Sequence, residues 1–123
     1  EPEAAEKVVK KVLLDYRESG DAKGVADALH VLAQVYLESG DDENALLRCE
    51  EALAVARDEN DRRREASVLH TLGRAQMAKK DFAQALSTVR EAAALFKRED
   101  DLEGEGSSHF VAVSAHLEKK KLI

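Results

Sequence analysis

Few residues of this chain have the types and spacing that chemistry needs. His30 and His70 stand forty positions apart, His109 and His116 seven apart on one helical face, and Cys49 is the sole thiol. Paired imidazoles suit metal ligation. At equivalent places on neighbouring helices, however, His30 and His70 would sit roughly 8–10 Å apart, too far to share a zinc ion directly. They read instead as groove residues or as positions the repeat carries over. His109 and His116 have no nearby carboxylate or cysteine to complete a zinc or nucleophilic site, so packing against a neighbouring helix is the better reading. Cys49 falls on the inward face of its helix with nothing beside it in sequence to lower its pKa, which describes a small core hydrophobe.

The remaining candidates are charge runs and glycines. Arg62-Arg63-Arg64 and Lys119-Lys120-Lys121 are not interleaved with aromatics that could stack on bases, and both are expected to be solvated. The lysines close a helix, where positive charge is favourable. The arginines open one, where it is not, so contact with an acidic partner is open to them. Gly104 and Gly106, in Glu103-Gly104-Glu105-Gly106-Ser107, match neither a phosphate-binding loop nor a dinucleotide fingerprint. Two glycines should loosen a first helical turn, making Ser107 or Ser108 the expected cap of a helix that starts late. No group of residues meets the requirements of a catalytic centre, so no enzyme, cofactor or metal site is expected.

Composition narrows the class further. A 123-residue chain with 44% hydrophobic and 36% charged residues suits one soluble globular domain, and a net charge of −6 gives no attraction to nucleic acid or an anionic membrane. No apolar run approaches the roughly 20 residues of a membrane span. A lone cysteine excludes a disulfide framework, which makes an intracellular setting the default expectation. Glu1-Pro2-Glu3 has neither an initiator methionine nor a signal-peptide shape, consistent with a processed chain or a segment of a longer one.

The elements that position these residues come from an internal repeat. Residues 24–63 laid over 64–103 without a gap match at twelve of forty positions, among them Leu29/Leu69, His30/His70, Leu32/Leu72, Ala45/Ala85 and Ala52/Ala92. Aspartates recur in step: Asp21, Asp61 and Asp101, with Asp41 and Asp81 midway, each suited to cap a helix, and Asp81 followed by Gln84 as in a capping box. Each repeat is thus two helices, and the apolar periodicity predicts six, near 3–18, 22–39, 42–58, 62–79, 82–98 and 102–119, with no strands.

The pattern resembles the tetratricopeptide repeat in its lengthened form of about forty residues, as in kinesin light chains. The family's large-Leu-small triplet appears as Leu29-Leu32-Ala33, Leu69-Leu72-Gly73 and His109-Ala112-Val113. Its two second-helix alanines appear as Ala45 and Ala52, Ala85 and Ala92, with Ala5 and Val12 in the leading segment. Its aromatic before the second helix is Phe82 but Asp42 in the other repeat, its tyrosine is Tyr36 but Gln76, and its closing proline is absent.

The resemblance implies an all-α, right-handed α-solenoid of antiparallel hairpins spanning 1–123: a second helix at 3–20, full repeats at 21–60 and 61–100, and a first helix at 101–123. It also implies that first helices line a concave strip, here Asp27, His30, Gln34 and Leu37, then Ser67, His70, Arg74 and Met77, then Ser107, Phe110 and Ser114. Such a strip suits an extended peptide or a partner helix held by side-chain hydrogen bonds and a few apolar anchors. In the chaperone-binding branch of the family, basic residues and asparagines along the strip clamp a terminal carboxylate, and of these only Arg74 has a counterpart here. The rival reading is a structural subunit docked into a large assembly through its terminal helices, with Leu122 and Ile123 placed where a further helix would start.

Overall fold

The computed structural model describes residues 2–122, and over that range the expected helices form. They are α1 (Pro2–Ser19), α2 (Ala22–Glu38), α3 (Asp42–Asp58), α4 (Arg62–Ala78), α5 (Phe82–Arg98) and α6 (Leu102–Lys120), with no strand among the described residues. Ile123 lies outside them.

The five connections are the same turn five times. The chain crosses to positive φ at Gly20, Gly40, Asn60, Lys80 and Asp100, one position before each aspartate. Each aspartate N–H then reaches back to the carbonyl five residues earlier, as Asp21 does to Tyr16 at 3.0 Å and Asp81 to Gln76 at 2.9 Å. That bond closes one helix in a Schellman arrangement. The same aspartate's carboxylate opens the next helix by accepting from the backbone N–H three residues on. One residue serves both ends, so the loop cannot lengthen and successive helices must run antiparallel.

The last of these turns corrects two expectations. Asp101, not Ser107 or Ser108, caps α6 by accepting from Gly104 N at 2.9 Å, so the helix starts at Leu102. Gly104 is there for space rather than looseness: a Cβ on it would lie 2.5 Å from the Phe96 ring. The pair recurs at Tyr16 and Gly24, where a Cβ would meet the ring at 2.4 Å. In the repeat between, the ring position is Ala56 and the glycine position is Arg64. There the arginine side chain is turned to Asp27 and Asp61.

The helices stack as a solenoid. Each packs on its neighbours in the chain, and α2 also approaches α4, and α4 approaches α6, within 8 Å between Cα atoms; α1, α3 and α5 do not approach one another. First helices in contact and second helices apart give a curved stack, concave on the side of α2, α4 and α6. Ala33, Ala45, Ala52, Ala66, Ala75, Ala85 and Ala92 are fully buried along the seams, with Leu29, Leu32, Leu69 and Val89 filling the space beside them. Cys49 is buried as expected, and burial pushes its thiol up to about 12. Ala5, Val12, His109, Val113 and His116 are exposed, because no helix lies beyond α1 or α6 among the described residues. The packing expected for His109 and His116 is therefore not found.

A further glycine facing a bulky side chain makes the seam testable. Gly73 faces Val89, whose Cγ1 would be 2.3 Å from an added Cβ, while the equivalent pair one repeat earlier is Ala33 with Cys49. Valine is stiff at χ1 and cannot swing away. Gly73→Ala should therefore cost about 1–3 kcal/mol of unfolding free energy through overpacking, and Gly73→Ala/Val89→Cys should recover most of it. Urea denaturation of the single and double variants measures both.

Candidate functional site: a polar groove along the first helices

Six of the eleven strip residues, His30, Gln34, Ser67, His70, Arg74 and Ser107, share one open cavity of about 400 Å³ where α2, α4 and α6 meet. A smaller adjoining hollow adds Asp27 and is lined also by His30 and Ser67. Leu37 and Met77, both half-buried, lean onto core clusters instead of lining the cavity. Phe110 stands 75% exposed on α6, and Ser114 turns its hydroxyl inward to donate to the Phe110 carbonyl at 3.1 Å.

The cavity floor is organised by Thr71, which the strip did not include. Its hydroxyl donates to the Ser67 carbonyl (3.4 Å) and lies 2.7 Å from His30 Nε2, in position to accept from it in the tautomer protonated there. His70 is left with a buried Nε2 that has no hydrogen-bond partner. The two imidazoles thus share a site but not a bond, and no group of three or more His, Cys, Asp or Glu able to hold a metal ion forms among the described residues. Phe96 supplies an apolar patch, and Asp101 and Glu103 give the α6 side negative character opposite Arg74.

Arg62 and Arg63 are exposed, as expected for the run, while Arg64 is partly buried, and all three are ion-paired. Arg64 grips Asp27 with two bonds, Nε to Oδ1 at 2.8 Å and Nη2 to Oδ2 at 2.9 Å, and also reaches Asp61 at 2.7 Å. Arg63 reaches Glu99 at 3.3 Å. Arg62 and Arg57 both bind Glu65, at 2.6 and 2.9 Å. Burial pushes the Glu65 carboxyl up, but the two guanidinium bonds together outweigh it and hold it below the ordinary range. Arg64 with Asp27 on α2, and Arg57 on α3 with Glu65 on α4, join successive repeats. Asp27, a strip residue, is committed to Arg64.

Residues 28–63 match the sequence model of the tetratricopeptide repeat. Over that stretch the chain is similar to a tetratricopeptide repeat. The matched stretch starts within α2, spans α3 and ends at the start of α4, and the α4–α5 hairpin follows the α2–α3 hairpin forty residues on. Tetratricopeptide repeats generally mediate protein–protein interactions and are typically non-catalytic. No curated protein matches the chain. No helix of the described residues is long and apolar enough to cross a membrane.

Both groove histidines are held below their ordinary pKa. For His30 burial is the main cause, with His70 adding to it and Asp27 opposing; for His70 it is burial and then Arg74, with the Ser107 backbone opposing. A base whose folded pKa is depressed takes its proton more readily when unfolded, so its contribution to stability is complete above about pH 6.5 and is lost as pH falls through the folded value. Urea stability should accordingly decline between pH 7 and pH 5, and His30→Gln/His70→Gln should flatten that decline.

Proposed function

We propose that this chain is a non-catalytic protein-interaction module that takes an extended peptide or a partner helix in its concave groove. The observation that carries the reading is the cavity shared by His30, Gln34, His70 and Arg74: polar groups from two successive first helices converge there, and Phe110 stands exposed on α6. Hydrogen-bond donors on two helices suit a backbone or side chains laid across the repeats, and Phe110 offers an apolar anchor at one end. An intracellular setting fits a chain whose single thiol is buried and unpaired.

A second reading, a structural subunit of a larger assembly, draws on the outer helices. Phe110, Val113 and Leu117 on α6, with Val8 and Leu14 on α1, are all more than half exposed. Exposed apolar residues clustered on a helix face mark interaction surfaces.

The test starts from a partner that co-purifies with the chain. His30→Ala/His70→Ala/Arg74→Ala should weaken that partner at least about tenfold, three hydrogen-bonding groups being worth about 1 kcal/mol each, with far-UV circular dichroism unchanged. Equal binding by this variant removes the groove reading. Loss of binding on Val113→Asp/Leu117→Asp instead assigns the contact to α6.

A further inference from the structure

Arg74 and Glu103 carry opposite charges into the groove cavity, and neither has a partner. Both line it and both are exposed. Neither takes part in a salt bridge among the described residues. Arg62, Arg63 and Arg64, earlier on the same helix as Arg74, are all ion-paired. Asp101, whose carboxylate caps α6, adds negative charge on the Glu103 side.

The separation of the two charges follows from register. α4 and α6 run parallel, since α5 reverses the chain between them, and the His70 ring reaches the Ser107 backbone across their seam. Arg74 lies one turn after His70, and Glu103 one turn before Ser107. At 1.5 Å per residue the two positions therefore differ by about 12 Å along the helix axes. That exceeds the screening length of roughly 8–10 Å at ordinary ionic strength, so the two charges do not satisfy each other. An extended chain covers the same distance in about three to four residues. Between the charged ends the cavity is lined by Ser67 and Ser107, whose hydroxyls can donate to or accept from a main chain laid over them.

We propose that the groove recognises a charge-ordered segment of its partner: an extended stretch lying along the α4–α6 seam, with an acidic side chain on Arg74 and a basic one on Glu103, about three or four residues apart. The proposal rests on the groove reading and adds to it the charge pattern of the bound peptide and the direction in which it runs. A stretch of one charge sign meets a like charge at one end, which works against binding. Both ends are exposed, so each pair is worth no more than a few-fold in affinity. They set order and register rather than tightness.

The probes are short peptides blocked at both ends, Glu-Ser-Ser-Ser-Lys and its reverse Lys-Ser-Ser-Ser-Glu, with Glu-Ser-Ser-Ser-Glu and Lys-Ser-Ser-Ser-Lys for comparison. Binding is followed through the amide NMR signals of Ser67 and Ser107 in the wild-type chain and in Arg74→Glu/Glu103→Arg, a variant altered only at exposed positions. One order of the mixed peptide is expected to bind the wild type at least about threefold more tightly than its reverse and than either like-charged peptide, and high salt should shrink that preference. The charge-exchanged variant is expected to prefer the reverse order. Equal binding of the four peptides overturns the proposal, as does absence of shifts in the wild type. An unchanged order of preference in the exchanged variant overturns it too. The groove reading fails separately, when the co-purified partner still binds His30→Ala/His70→Ala/Arg74→Ala.

Discussion

Everything in this molecule depends on how closely two helix backbones can approach. Where the seam residues are alanine or glycine, the neighbouring helix comes near enough for leucine and valine to fill the remaining space, and van der Waals contact replaces hydration along the whole stack. At three places a bulky side chain faces a glycine across the seam. Tyr16 with Gly24 and Phe96 with Gly104 alternate with Ala56 and Arg64; Gly73 with Val89 answers Ala33 with Cys49.

This packing explains what could and could not be read beforehand. The six helices were legible because an aspartate every twenty residues acts within its own turn, and alanines at helical spacing act through local geometry. Helix ends accordingly agree within a residue or so. Gly104 was misread because its reason lies eight residues away in Phe96, although Tyr16 and Gly24 show the same spacing earlier in the chain. The ion pairs of the arginine run were not foreseen for a related cause. Its partners Asp27 and Glu99 are more than thirty positions distant, and only the stacked repeats bring them within reach.

The groove divides the same way. Repeat register placed His30, Gln34, Ser67, His70, Arg74 and Ser107 on one surface, where they share a cavity. It gave no sign of Thr71, which sits one residue from the strip on the buried side and bonds His30 across two helices. Leu37 and Met77 lie at strip positions yet turn toward the core, since an apolar side chain at a seam gains more from burial than from facing water.

The contact of α2, α4 and α6 along the inner face, with α1, α3 and α5 held apart, also has a mechanical meaning. The line of first helices acts as the spine about which the stack can flex, and the spacing of the outer helices is where flexing is taken up. Across that outer gap the same ion pair is repeated, Arg17 to Glu51 at 3.6 Å and Arg57 to Glu91 at 3.2 Å. Exposed pairs of this kind are weak, about 0–1 kcal/mol, and screened by salt. They act as soft springs rather than braces, and salt loosens them.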